Sequence, residues 1–136
     1  MFFTTEDFKT CKDEQSFKQK YIKAYRRAYH VFCIETEETV KGFPDVLLVS
    51  KETGKASFLE FKFAKKGSTI HFQANQPAFY RLYPDLDIKV ICYVRDMMRV
   101  HVFRVADLFN KDSAYCLNGK AEVNLSKFRE NPALQV

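Results

Sequence analysis

A chain of 136 residues is long enough for one domain with a buried core and too short for a separate recognition domain, so residues 1–136 are expected to form a single unit. An apolar fraction of 46%, a charged fraction of 29% and only 4 Gly and 4 Pro exclude a long disordered chain. The net charge of +5 suits a polyanionic partner without singling one out.

The first stretch, MFFTTEDFKTCKDE, reaches acidic residues too soon for a signal-peptide apolar region, and no apolar run approaches membrane-spanning length. The expectation is a cytoplasmic protein, nuclear in a cell with a nucleus, or in the host cytoplasm if viral. Cys11, Cys33, Cys92 and Cys116 form no CxxC pair, and no His stands at zinc-finger spacing, which leaves reduced thiols. Over residues 13–29, Phe17, Tyr21, Ala24, Tyr25 and Ala28 recur at helical spacing while Lys18, Lys20, Lys23, Arg26 and Arg27 fill the other faces. This predicts an amphipathic helix with a basic exterior.

Residues 30–34, 45–50 and 56–63 read as strands, the last two joined by Lys51-Glu-Thr-Gly54, whose glycine suits the positive φ of a hairpin loop. A loop over 64–70 leads to a helix over 73–83, with Pro77 near enough to its start to be tolerated. Strands over 88–94 and 100–105, a short helix or turn over 107–110 and a weakly patterned tail follow. The order α, β, β, β, α, β, β implies an α/β sandwich around a mixed sheet.

In Phe58-Leu-Glu-Phe-Lys-Phe63, strand periodicity sets Phe58, Glu60 and Lys62 on one face and Leu59, Phe61 and Phe63 on the other. Charges in a packed sheet cost several kcal/mol per unpaired ion, roughly, so that face is either exposed or used. A four-residue loop pairs Ser50 with Lys55, and the same register sets Asp45 opposite Glu60. Facing carboxylates need a positive charge between them, and a hard divalent cation with oxygen ligands, typically Mg²⁺, answers that need. Lys62, roughly 7 Å further along the same face, is near enough to serve a water or phosphate there. Pro44 lacks an N–H and suits a strand start, which delivers Asp45 at the strand's end. The plainer alternative is a surface strand with Glu60 and Lys62 merely solvated.

Gly42-Phe-Pro-Asp45, then Phe58-Leu-Glu60-Phe-Lys62, then Phe72 and Gln76 resemble the PD-(D/E)xK nucleases, especially their VRR-NUC and Holliday-junction-resolvase-like branch, over residues 14–94. The resemblance implies a restriction-endonuclease-like fold, a central mixed β-sheet flanked by helices, and a structure-selective or weakly sequence-specific endonuclease that hydrolyses phosphodiester bonds in DNA, branched or nicked DNA included. By it, Asp45, Glu60 and the carbonyl of Phe61 would hold Mg²⁺, with Mn²⁺ substituting, and Lys62 would orient water and offset charge on the phosphate.

Glu14 is then a further metal or water ligand, or else a helix-start residue favoured by the macrodipole. Gln76 positions Lys62 or the phosphate, or else caps its helix, with Gln73 the alternative one turn away. Lys65 and Lys66 would meet the DNA backbone, although such residues are equally usual as a solvated face. Glu35, Glu37 and Glu38 read as an acidic loop, Pro84-Asp85 as a helix-ending turn, and His30, His71 and His101 share no ligand spacing. Family and small size together suggest a homodimer. Two rivals stand beside the endonuclease: a regulatory nucleic-acid-binding protein on a nuclease fold without catalysis, and an unrelated protein whose Asp45–Glu60 register does not hold.

Overall fold

The computed structural model describes residues 13–34, 42–73, 75–97, 99–108, 115–117 and 120–125. Helix α1 (Glu14–Tyr25) starts where Asp13 and Ser16 cap each other reciprocally: the Asp13 carboxylate accepts from the Ser16 N–H at 2.8 Å, and the Ser16 hydroxyl accepts from the Asp13 N–H at 3.3 Å. It buries Phe17, Tyr21, Ile22 and Tyr25. The helix ends four residues before the sequence pattern suggests, because Tyr29 is drawn into strand β1 (Tyr29–Cys33), opposite Ser50 of β2 (Val46–Ser50). A turn closed by the Ala28 N–H on the Tyr25 carbonyl makes the change of direction.

Strand β2 pairs antiparallel with β3 (Ala56–Ala64), Val46 facing Leu59 and Val49 facing Ala56, and the Ser50 N–H donates to the Lys55 carbonyl. This is the register expected from the loop length, and Gly54 takes the positive φ (+71°) foreseen for it. Next come β4 (Thr69–Gln73), α2 (Asn75–Leu82) and β5 (Ile88–Val94), which returns parallel to β3. A 3-10 turn (Arg95–Met97), β6 (Arg99–Arg104) and α3 (Val105–Leu108) follow, then β7 (Tyr115–Leu117) and β8 (Lys120–Asn124). The main sheet runs β1-β2-β3-β5-β6, with β3–β5 its one parallel pair among the described residues.

The loop expected over 64–70 is present as a shorter turn over 65–68; β4 takes its last two residues and Gln73 of the expected helix, and a second sheet, ordered β4-β8-β7, gives the tail structure that its sequence pattern does not suggest. The strands of this sheet are short, and β4 and β8 are buried on one side: Ile70 and Phe72 of β4, and Ala121 and Val123 of β8, point inward while His71 and Glu122 face water. Residues 109 and 110 of the expected short helix, and the acidic stretch with Glu35, Glu37 and Glu38, lie outside the described residues.

Each face of the main sheet carries its own core. On one, α1 packs Phe17, Tyr21, Ile22 and Tyr25 against Val46, Leu48, Leu59, Phe61, Ile91 and Tyr93. On the other, α2 and the second sheet pack Phe79, Tyr80, Ile70, Phe72 and Val123 against Val90, Cys92 and Phe103. Five mixed strands between these two layers form a restriction-endonuclease-like α/β fold.

Candidate active site

Backbone constraints first deliver Asp45. Gly42 has φ +89°, and a Cβ there would lie 2.2 Å from the Asn75 carbonyl oxygen at the start of α2, so only glycine lets the chain pass. Phe43 then packs edge-on against Phe58 and Phe79, each with ring centroids 5.3 Å away, and Pro44 is buried. The Asp45 carbonyl accepts from the Ile34 N–H at 2.8 Å, which fixes the backbone just before β2.

One step past the Val46–Leu59 pair, Asp45 meets Glu60, and its N–H donates to Glu60 Oε2 at 3.3 Å. Pairing with β2 ends there, so β3 runs on past it with Lys62 while still bound to β5 on its other side. The expected division of faces holds: Leu59 and Phe61 sit in the α1 core, and Phe58 packs into the opposite one.

Glu60 is only 2% exposed. A buried carboxylate is costly without partners, and α2 supplies one: Gln76 Nε2 donates to Glu60 Oε1 at 2.6 Å. Gln76 Oε1 accepts from Lys62 Nζ at 3.2 Å and from the Gln73 N–H at 2.9 Å. Gln76 therefore links the carboxylate, the lysine and the backbone at the end of β4. Gln73 is exposed in β4 and contributes only its backbone to this network.

Lys62 Nζ stands 3.7 Å from Glu60 Oε1 and 4.7 Å from the centroid of the Phe72 ring, whose π face favours a cation. Burial, then the neighbouring Asp45 charge, push the Glu60 carboxyl up to about 7, against the lowering pull of Lys62 and Gln76. The Glu14 side chain is open to solvent at the start of α1, yet its carboxyl also lies above the ordinary range. Partial enclosure by protein raises it most, Lys62 lowers it and Asp45 raises it again, so Glu14 belongs to the electrostatic surroundings of the site.

Spacing alone did not mark Tyr80, one turn after Gln76 on α2. It is buried, and its phenol is held above its usual pKa first by burial and then by the charges of Glu60 and Asp45. The i, i+4 relation to Gln76 was the available signal. Lys65 and Lys66 are exposed in the turn after β3, and the Gly67 N–H donates to Asp96 Oδ2 at 2.7 Å, which tethers that turn. Lys65 also lowers the Asp13 carboxyl, after the larger effect of its hydrogen bonds to Ser16. Elsewhere, His71 pairs with Glu122 at 3.3 Å on the second sheet, and 84–85 form the turn expected after α2.

Among the described residues no three His, Cys, Asp or Glu side chains gather into a metal-binding cluster. Asp45 and Glu60 still form a two-carboxylate oxygen set, and at Glu60 burial and the Asp45 charge outweigh the nearby Lys62 ammonium. Mg²⁺ commonly takes one or two carboxylates and keeps several waters, so this donor set fits it.

No protein-family model matches the sequence, and no curated protein matches it. Among solved structures, the chain is similar to Hjc, a Holliday junction resolvase from the archaeal hyperthermophile Archaeoglobus fulgidus, at 11% identity and a TM-score of 0.52, covering 83% of this chain and 84% of that one. It is also similar to D212, a nuclease from a fusselovirus (12% identity, TM-score 0.47, 83% and 82% covered). A bacterial homing endonuclease aligns at 16% identity with a TM-score of 0.47 over 91% of this chain and 83% of its own. At 11% identity, the likeness to the resolvase is one of fold.

Proposed function

We propose that the protein is a Mg²⁺-dependent deoxyribonuclease of the PD-(D/E)xK kind, an endonuclease that selects DNA by its shape or branching. The observation that carries this reading is the Asp45–Glu60–Lys62–Gln76 arrangement: two adjoining carboxylates at the end of a strand pairing, with a lysine locked beside them. A fold shared with a Holliday junction resolvase supports DNA as the substrate.

Asp45, Glu60 and the Phe61 carbonyl would hold the ion, with Glu14 adding negative charge at the rim. Bound there, Mg²⁺ supplies a Lewis acid for a phosphate oxygen and acidity for an attacking water. Gln76 and Phe72 keep the Lys62 ammonium in one place, so that it orients the water and offsets charge developing on the phosphate. Gln76 also holds Glu60 in the rotamer that turns its second oxygen toward Asp45.

The test is incubation of supercoiled, linear and branched DNA with the protein in Mg²⁺ or in EDTA. Wild type is expected to cut in Mg²⁺ only, and Lys62→Ala to be slower by about a hundredfold or more. Cleavage that persists at the wild-type rate in Lys62→Ala sinks the assignment, and DNA binding without cleavage in any metal favours a regulatory protein instead.

The exposed Lys65–Lys66 turn makes a separate prediction about binding. If these side chains meet phosphates, replacing both with Ala lowers affinity for all DNA sequences alike and reduces the slope of log K against log salt by about two. An unchanged slope in a salt titration removes the turn from the interface.

A further inference from the structure

A second concave surface lies away from the carboxylates, toward the starts of β3 and β5, whereas the Lys65–Lys66 turn follows the end of β3. It is a cleft of about 630 Å³ between the C-terminal half of α2, the start of β5 and the end of β6, a volume within the range of ligand-sized pockets. Tyr80, Ile88 and Val105 line its floor, and Arg81, Lys89 and Arg104 supply cations around it. Asp87 is the acidic residue in its lining, and it already pairs with Lys89 at 3.4 Å. Arg81 and Arg104 are exposed and form no ion pair among the described residues.

Beside this basic rim the molecule bares apolar surface. Leu82 is 72% exposed, and Tyr83 and Leu86 are also exposed. Of the four large exposed hydrophobics among the described residues, three fall within five residues here, Leu82 at the end of α2 and Tyr83 and Leu86 in the turn that follows, with Pro84 between them. Single exposed apolar residues are ordinary, but a cluster beside a cleft marks a docking surface.

We infer that this cleft docks an acidic peptide segment of another protein, with its apolar side chains against Tyr83, Leu86 and the cleft floor and its carboxylates on Arg81 and Arg104. Charge decides among possible occupants. A second copy docked through the same patch would set one basic rim against another. A DNA strand would satisfy the arginines but leave Leu86 and the aliphatic floor, Ile88 and Val105, without apolar partners. An acidic segment with aliphatic or aromatic anchors satisfies both features, and paired carboxylates suit guanidinium geometry. The inference does not depend on the nuclease reading, since none of the three site side chains Asp45, Glu60 and Lys62 lines the cleft.

The experiment pans phage-displayed random peptides on the full-length protein and measures the selected peptides by fluorescence anisotropy. The expected result is enrichment in Asp or Glu beside Leu, Phe or Trp. Affinity should fall about tenfold or more in Arg81→Glu/Arg104→Glu and, separately, in Leu86→Ser, and stay unchanged in Glu60→Gln. Matched melting temperatures establish that the surface variants are folded. Peptides without acidic enrichment, or affinities that survive both variants, overturn the proposal. So does a loss of single-stranded DNA affinity, rather than peptide affinity, in the double-arginine variant, or wild-type dimers in sedimentation that the same variant dissolves.

Discussion

Glu60→Gln is expected to abolish cleavage, by roughly a thousandfold or more, while making the metal-free protein more stable at pH 8. Both effects have one origin. Glu60 is buried beside Asp45, so its folded pKa of about 7 stands above the 4.5 it has when unfolded. Between those two values the folded state binds more protons than the unfolded state, so this group's contribution to stability falls as pH rises through the window. At pH 5 the wild type keeps most of that stability, and by pH 8 the loss is on the order of 3 kcal/mol. Glutamine has nearly the same shape, keeps an oxygen for the short bond from the Gln76 amide, gives up only the longer 3.3 Å bond from the Asp45 N–H and carries no charge, so the variant lacks this pH slope. Thermal melts in EDTA at pH 5 and pH 8 measure the effect. Adding Mg²⁺ at pH 8 should raise the wild-type melting temperature and leave the variant nearly unmoved. A wild type equally stable at both pH values, or a variant that still cuts, contradicts the assignment.

Gly42→Ala is expected to destabilise the protein by about 3 kcal/mol or more, and Gly54→Ala by about 1 kcal/mol. Both glycines have positive φ, so both substitutions carry the left-handed backbone cost. Only Gly42 has a neighbour in the way, the Asn75 carbonyl 2.2 Å from the added carbon, whereas nothing lies within 4 Å of one at Gly54. Urea unfolding of the two variants therefore isolates the close approach of the β2 lead-in to α2. Because that approach brings Asp45 and Gln76 onto Glu60 from two directions, the Gly42 variant should also lose activity, while the Gly54 variant keeps it. Equal losses of stability would mean that the backbone at Gly42 shifts freely.

The local part of the site was legible because its spacing is enforced by short-range geometry. A four-residue hairpin loop leaves one register, and that register sets Asp45 against Glu60; a strand's alternation then fixes the face of Lys62. Gln76 reaches from α2 to Glu60 and Lys62 of β3 and to the Gln73 N–H of β4, contacts that its place in the helix pattern leaves open. The second sheet was not legible in the same way. Thr69–Gln73 alternates inward and outward residues, but five half-buried positions next to a basic turn resemble a loop unless the partner strand is known, and Lys120–Asn124 lies far along the chain. Tyr80 was missed for a related reason: an aromatic on the inner side of a helix looks like ordinary core until the neighbouring carboxylates are placed.

The ring beneath the Lys62 ammonium belongs to β4, and in the sheet Phe72 lies opposite Ala121 of β8. A ribosome releases β3 and its lysine long before it releases β8. Until that late strand arrives, β4 has no sheet neighbour, and of the two groups that hold the ammonium only Gln76 is independent of it. The surroundings of Lys62 are thus completed by a pairing between strands nearly fifty residues apart, and the order of that corner rests on a long-range contact rather than on the hairpin that places the lysine.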